Sequence, residues 1–462
     1  MTYFFETYGC QMNKAESASM EQILIDRGWV AASSAEETDL AIINTCSVRA
    51  TAENRIFGRL GWFSAVKAVR GGAKDGKKVN FPVAASAYTQ GRPQMTLVVT
   101  GCMAQRLLDG FKKQYPVIDY VVGNFQKQHF IDIVQAVEQG KPVIEIDEEP
   151  IYSFAPMSWE QGTFSAFVPI MHGCNNFCTY CIVPYVRGRE ISRSPKEILK
   201  EIDQLSSHNV KEITLLGQNV NSYHWEEEGK TLNFPQLMML IAQHIKETRS
   251  SIGWIRFMSS HPKDLSDELI EVIKNEPLIC RHIHLPVQHG STQVLARMNR
   301  KYSREQYLDL VERIRSKIPE VSLTTDILIG FPGETKEDFQ ETVSLMEQVR
   351  YQAAYMYYYN PREGTPAATY PDQISLDVKK ERLQQIIDMQ LEITREETQK
   401  RLGKIVPVLV ESVSKDNPEE LLGRTEQDER VVFAANKNKC GSFVQVQLLE
   451  LTGNTIRGIV IE

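Results

Sequence analysis

Long apolar runs are missing from this 462-residue chain. No stretch approaches the roughly 18 residues that a membrane span requires, which excludes a helical membrane protein. The opening segment, MTYFFETYGC, has neither a basic n-region nor a cleavable apolar stretch. No secretory signal is therefore expected, and a cytoplasmic location follows. An excess of positive charge is missing too. The net charge of −7 argues against a generic nucleic-acid coat while leaving room for a local basic patch. Cysteine is sparse, eight in all, and in a reducing compartment those eight read as ligands rather than disulfides. The hydrophobic fraction of 42% is ordinary for a soluble chain, and the length predicts two or three domains at roughly 100–200 residues each.

What is present concentrates in the cysteines. Cys174, Cys178 and Cys181 stand in GCNNFCTYC, a C-x3-C-x2-C triplet. Three close thiolates with no local fourth ligand suit a 4Fe–4S cubane that keeps one iron open. A zinc knuckle completed by a distant fourth ligand is the alternative. An open iron can bind a small molecule, which turns an electron carrier into a catalyst.

The first ~140 residues (1–140) alternate strands and helices, predicting a small parallel α/β sheet. Strands are expected at Tyr3–Tyr8, Leu40–Asn44 and Thr96–Thr100, with helices after each. Cys10, Cys46 and Cys102 follow these strands directly. Carboxyl ends of parallel strands share one edge, so these three cysteines are expected to converge as a second thiolate site; three ordinary buried cysteines are the plainer alternative. Arg70–Gln94 breaks the pattern and reads as an inserted loop, and 141–162 reads as a linker. Over 163–400, strands are expected at Ser165–Met171, Glu212–Leu216, Trp254–Met258, His282–Leu285, Ser322–Leu328 and Ala354–Tyr358, with helices between them. Six βα repeats predict an open (βα)6 partial barrel, with the cysteine triplet just after its first strand, at the end where barrel active sites sit. A long helix, Ser375–Arg401, leads to 401–462, where Val406–Val413, Glu429–Phe433, Ser442–Leu449 and Ile456–Ile461 predict a small antiparallel all-β barrel of the kind that binds nucleic acid. The fold class is thus α/β with an all-β C-terminal module. Cys280 and Cys440 match no ligand pattern and read as structural.

These motifs resemble the radical S-adenosylmethionine superfamily, and the preceding three-cysteine domain with the trailing β domain resembles its methylthiotransferases. TYGCQMN (Thr7–Asn13), NTCSVR (Asn44–Arg49) and LLGQNVNSY (Leu215–Tyr223) are similar to the branch acting on N6-isopentenyladenosine at position 37 of tRNA. Branches acting on a ribosomal-protein aspartate or on threonylcarbamoyladenosine are the alternative. The resemblance implies two 4Fe–4S clusters, one on Cys174, Cys178 and Cys181, the other on Cys10, Cys46 and Cys102. It implies two S-adenosylmethionine molecules per product, one as methyl donor and one as source of a 5′-deoxyadenosyl radical. Tyr180 would lie against the adenine of S-adenosylmethionine. Gly217, Gln218 and Asn219 would meet its amino group, and Gly330 and Gly333 in DILIGFPGE would turn beside its adenosine. The 401–462 region is similar to a TRAM-type module, with Lys415, Arg424, Lys437 and Lys439 as RNA contacts; Arg187, Arg189 and Arg193 of RGREISRSP are further phosphate contacts. LPVQHGS (Leu285–Ser291) is expected to face the cleft, its histidine as polar lining. The implied partners are a tRNA anticodon stem-loop carrying isopentenyladenosine, a low-potential electron donor and a sulfur source, with no membrane and the chain acting as a monomer.

Overall fold

The structure is a computed structural model describing residues 1–47, 50–70, 94–146, 152–155, 157–436, 439–453 and 455–461. The expected insertion at 70–94 therefore lies almost wholly outside the described residues, as does part of the 141–162 linker. No described helix is long and apolar enough to cross a membrane. The chain divides into two units. One comprises Met1–Glu160 with Ile182–Ile191; the other comprises Gln161–Cys181 with Ser192–Glu462.

The first unit is built on a five-stranded parallel sheet. Its spatial order is Val30–Ala31, Thr2–Thr7, Leu40–Thr45, Thr96–Gly101, Tyr120–Val122. Leu40–Thr45 is central, and all six of its residues are buried. Alternate side chains of such a strand feed two cores. Ala41 and Ile43 join Leu97, Val99, Ile56, Leu60 and Phe63 on one face. Leu40 and Ile42 join Val98, Leu24, Phe130 and Ile133 on the other. The two edge strands, of two and three residues, are too short to carry a periodic signal and were not expected.

The second unit opens with six parallel strands. Ser165–Pro169, Glu212–Leu216 and Trp254–Phe257 pair in that order, and His282–His284, Ser322–Ile329 and Ala353–Tyr358 pair in theirs. An Ile255–Ile279 bridge joins the two sets. Helices lie between successive strands, each presenting an apolar stripe. Pro195–Ser207 buries Ile198, Ile202 and Leu205; Phe234–Glu247 buries Leu237, Met238, Ile241 and Ile245. The expected open barrel is thus present, with parallel sheets and crossover helices.

The C-terminal region is a closed five-stranded barrel, ordered Ile405–Val413, Glu420–Thr425, Arg430–Ala434, Thr455–Ile461, Phe443–Thr452. Two details differ from expectation. Glu420–Thr425 is a fifth strand, and Arg430–Ala434 pairs parallel to Thr455–Ile461. The fifth strand is short and carries Gly423 and Arg424, which blur its alternation, though its burial still alternates along most of its length.

Candidate metal and cofactor sites

In the first unit, Cys10, Cys46 and Cys102 each stand beyond the carboxyl end of a parallel strand. Sheet order reverses beside Thr2–Thr7, so Cys10 and Cys46 flank the switch point, where open α/β sheets bind ligands. Cys10 is exposed, whereas Cys46 and Cys102 are buried. Cys10 caps the helix Gln11–Asp26, and Cys102 begins the helix Cys102–Gln114. The positive end of a helix favours negative charge, which suits thiolate ligands. Behind them the backbone is tied by amides. Asn13 Nδ2 donates to Asn44 Oδ1 at 2.9 Å and to the Thr45 carbonyl at 3.0 Å, while the Cys10 thiol donates to Asn13 Oδ1 at 3.3 Å. Asn44 Nδ2 returns a bond to the Asn13 carbonyl at 2.9 Å. The turns carrying Cys10 and Cys46 are held in register by this pair. Asn124 Nδ2 donates to the Val186 carbonyl at 2.7 Å and lies 3.9 Å from Cys102 Sγ.

Arg187 belongs to this setting rather than to an RNA surface. It is 2% exposed, and its Nη1 donates to Glu16 Oε1 at 2.8 Å. Lys127 Nζ lies 2.6 Å from Glu16 Oε2. Burial alone would raise the Glu16 carboxyl, but Arg187 and Lys127 pull it down to about 2. Burial opposes the Arg187 charge, yet the Cys102, Glu16 and Cys10 charges outweigh it and keep the guanidinium protonated. The phosphate contact expected of Arg187 is corrected accordingly: a buried guanidinium paired to a carboxylate has no free face for RNA.

In the second unit, the loop after Ser165–Pro169 carries Cys174, Cys178 and Cys181. The first two are buried and the third is half-buried. Two left-handed residues bend this loop, Gly173 at φ 78° and Phe177 at φ 48°. The segment Arg297–Tyr302 clamps it. Thr179 N and Oγ1 donate to the carbonyls of Met298 at 3.1 Å and Arg297 at 2.9 Å. Asn299 Nδ2 donates to the Phe177 carbonyl at 3.0 Å. Arg300 Nη1 lies 3.5 Å from Cys178 Sγ, Nη2 donates to the Pro286 carbonyl at 2.8 Å, and Nε donates to Tyr302 Oη at 2.9 Å. Sequence reasoning missed this clamp. It follows a short helix, Thr292–Arg297, and its left-handed residues Asn299 and Lys301 (both φ 61°) interrupt any period.

Among the described residues, no three His, Cys, Asp or Glu side chains gather closely enough to hold a single metal ion. A cubane makes a different demand, because each thiolate binds its own iron corner and the sulfurs need not meet at one point. The mouth of the partial barrel also suits a polar ligand. Gln218 Oε1 and Asn219 Oδ1, after the second strand, and Ser260 Oγ and His261 Nε2, after the third, are buried without a hydrogen-bond partner among the described residues. Orphaned buried polar atoms are costly unless a ligand satisfies them. S-adenosylmethionine, with amino, carboxylate and ribose groups, has the donors and acceptors to do so. Gly217 is buried where a Cβ would run into Met171. Gly330 and Gly333 adopt φ 68° and 76°, so both are required by their turns. Between them Phe331 is fully buried, and Tyr180 packs edge-on to it at 6.5 Å between ring centres, within a cluster that includes Val294, Met298 and Tyr359. Burial holds the Tyr180 phenol well above its usual range, hence neutral.

The remaining expected contacts divide. Arg193 is 3% exposed and paired to Glu201, with Nη1 also donating to the Pro169 carbonyl at 3.2 Å, so it too is structural rather than RNA-facing. Arg424 is engaged by Glu411 at 3.0 Å and Asp428 at 2.6 Å, which neutralises it as a phosphate grip. Arg189, Lys415 and Lys439 are exposed, and Lys437 lies outside the described residues. His289 of LPVQHGS is fully buried, with Nδ1 accepting from Ser291 N at 3.0 Å and Nε2 3.3 Å from Glu334 Oε2, so it is engaged by the protein itself. Cys280 packs with Trp254 and Leu409, and burial pushes its thiol far up. Cys440 packs at the edge of the C-terminal barrel core.

Comparison with known proteins converges on one family. The family profile described as the radical SAM superfamily matches residues 168–346, that described as uncharacterized protein family UPF0004 matches 2–123, and that of the TRAM domain matches 399–461. The chain is 51% identical over 471 residues to the tRNA-2-methylthio-N(6)-dimethylallyladenosine synthase of Treponema denticola, covering 99% of each. It is 41% identical to the synthase of that name from Phocaeicola vulgatus, covering 98% of this chain and 95% of the other. It is 40% identical to that of Clostridium botulinum strain Okra, covering 99% and 96%. Among solved structures, a radical S-adenosylmethionine methyltransferase from Kitasatospora setae shares the fold with a TM-score of 0.56 at 12% identity, covering 79% of this chain and 75% of that one. Alike from end to end to these synthases, the chain belongs to their family, the radical S-adenosylmethionine methylthiotransferases that modify N6-dimethylallyladenosine in tRNA.

Proposed function

We infer that the protein adds a methylthio group to carbon 2 of N6-isopentenyladenosine at position 37 of tRNA. The observation that carries this reading is full-length identity of 40–51% to synthases of that activity from three bacterial genera. Two thiolate triplets at the carboxyl ends of parallel strands support it. Cys174, Cys178 and Cys181 would hold one 4Fe–4S cluster, and Cys10, Cys46 and Cys102 the other. When bound, these clusters and S-adenosylmethionine supply hydrogen abstraction from an inert C–H bond and delivery of sulfur. The chain's own residues bind, orient and exclude water. Arg300 and Asn299 hold the triplet loop in shape. Asn13 and Asn44 hold the turns of the other triplet. Gly217, Gln218, Asn219 and His261 offer a buried polar lining for S-adenosylmethionine, with Tyr180 against its adenine and Gly330 and Gly333 turning beside it. Arg189, Lys415, Lys439 and Lys437 contribute positive charge toward the anticodon stem. The enzyme acts in the cytoplasm as a monomer, with a low-potential electron donor and a sulfur source as partners.

Anaerobic reconstitution is expected to load about eight irons per chain, as two four-iron clusters require. The reconstituted enzyme should add a methylthio mass to isopentenylated anticodon stem-loop RNA and none to ribosomal protein. Product on ribosomal protein alone, or turnover retained by Cys174→Ala, would overturn the reading.

A further inference from the structure

Three of the arginines that read as phosphate contacts are spent on carboxylates: Arg187 on Glu16, Arg193 on Glu201, and Arg424 on Glu411 and Asp428. Two other cations of the second unit are not. Arg297 ends the short helix Thr292–Arg297 and is exposed, and its guanidinium meets no hydrogen-bond acceptor among the described residues. Lys379, in the first turn of the helix Leu376–Gln399, is only 6% exposed. Its ammonium also meets no acceptor among the described residues and lies 5.2 Å from the centre of the Tyr359 ring. The carboxylate that acts on it, Glu334, is already held by Arg382 Nη1 at 2.6 Å, by the Phe331 amide at 3.0 Å and by His289 Nε2 at 3.3 Å. Burial lowers the Lys379 ammonium from its ordinary value, and an anion beside it would offset that desolvation.

Both cations lie on one turn. A Cβ at Gly330 would run into the Lys379 stem, and one at Gly333 into the Arg297 guanidinium. The turn is bare where a lysine and an arginine cross it. A third group completes the arrangement. Tyr359, just past the sixth strand, is 1% exposed, and its hydroxyl is buried without a hydrogen-bond partner among the described residues. Such a hydroxyl is costly unless a ligand supplies the acceptor. All three groups stand by the triplet loop. Thr179 Oγ1 donates to the Arg297 carbonyl, while Tyr359 and Tyr180 both pack edge-on to Phe331, at 5.4 Å and 6.5 Å between ring centres. A guanidinium, an ammonium and a phenol are donors suited to anionic oxygens. Two positive charges suit a phosphodiester better than S-adenosylmethionine, whose sulfonium and ammonium outweigh its one carboxylate. An enzyme that acts on a base takes it out of its stack, which draws the adjoining phosphates to the rim of the site.

We propose that Arg297, Lys379 and Tyr359 grip a backbone phosphate next to the target nucleotide and so hold the unstacked base at the triplet loop. The proposal rests on the tRNA reading above. Binding of isopentenylated stem-loop RNA to the reconstituted full-length enzyme is followed anaerobically by fluorescence anisotropy over a range of salt. Lys379→Met, which keeps the stem and removes the charge, is expected to raise Kd about tenfold, and Arg297→Gln about threefold. In the double variant the slope of log Kd against log salt should fall by about 0.7–0.9, the share of one phosphate. Tyr359→Phe should raise Kd about threefold with the slope unchanged, because it removes a contact but no charge. An unchanged slope in the double variant overturns the proposal. So does a raised KM for S-adenosylmethionine with RNA affinity unmoved, which would give the cations to the cofactor carboxylate. Should the variants lose iron or fail to fold, wild-type enzyme is titrated with stem-loops carrying one neutral methylphosphonate at each position flanking the target nucleotide. A loss of about tenfold at one position supports the grip, and no loss at any of them removes it. Wild-type turnover on the unmodified stem-loop separates the two readings: absence of methylthio product sinks the tRNA function, whereas normal product with an unchanged slope sinks the phosphate grip alone.

Discussion

Arg300 donates from all three guanidinium nitrogens: to Tyr302 Oη, to the Pro286 carbonyl and toward Cys178 Sγ. It is 4% exposed, so its charge is not spent on water. On the proposed assignment of Cys178 to a cluster, a fixed guanidinium beside its sulfur would hold it by geometry and offset negative charge. Arg300→Ala should therefore lose the cluster of the triplet while sparing the other, leaving about half of the iron, near four per chain, in anaerobic iron analysis. The Glu16–Arg187–Lys127 group is governed by a different energy. All three side chains are nearly buried, and removing one member of such a group strands a charge away from water. Glu16→Ala leaves two cations facing each other and should cost about 3–5 kcal/mol, read as a lowered unfolding midpoint of the first unit.

At the level of elements, the C-terminal barrel is docked rather than tethered. Arg256, on the third strand of the partial barrel, bonds Glu212 at 2.7 Å and donates to the carbonyls of Thr425 at 2.7 Å and Glu426 at 2.8 Å. Trp254 meets Phe443 edge-on at 4.8 Å between ring centres, and Arg401 reaches Glu429 at 2.7 Å. Arg256→Ala leaves Glu212 buried and unpaired, so the barrel should loosen. Limited proteolysis would then cut near residue 400 at least about tenfold faster than in wild type, matching a loss above 1.4 kcal/mol. None of this docking was legible in the sequence, because Arg256 and Thr425 are far apart in the chain and belong to elements that look complete by themselves. The elements were legible where period and position agreed. Leu40–Thr45 and the six barrel strands announce themselves as apolar runs between helices, and six cysteines stand at strand ends or in one short triplet. What escaped was whatever burial decides. RGREISRSP reads as a basic surface segment, yet Arg187 and Arg193 turn inward because Glu16 and Glu201, distant in sequence or on the next helix, supply their charges. Composition cannot tell a paired arginine from a free one.

Across the whole molecule, acid is the condition to which the second unit is most exposed. His261 and His282 are 4% exposed each and held neutral by the fold. Burial pushes His261 down to about 2, with Arg300 and Lys263 adding repulsion. Burial likewise pushes His282 down to about 4; Arg256, His284 and Arg424 act in the same sense and Asp428 against it. In the unfolded chain both would titrate near 6.5. Between the folded and unfolded values the unfolded state binds more protons, so stability rises with pH through this window and falls as pH drops below about 6.5. At pH 5 each histidine costs about 2 kcal/mol relative to pH 7, from 1.36 kcal/mol per unit over roughly 1.5 units. Glu16 contributes nothing in this interval, since its depressed carboxyl loses stability only below its ordinary value of about 4.5. Thermal unfolding followed anaerobically at pH 7 and pH 5 should show the midpoint falling with acid. His282→Gln keeps a side-chain amide within reach of Thr324 Oγ1, which His282 Nε2 meets at 3.0 Å. In that variant the pH 7 to pH 5 difference should shrink by about half. An undiminished difference would mean that His282 titrates in the folded protein as it does in water, and that the polar interior of the barrel is wetter than its burial implies.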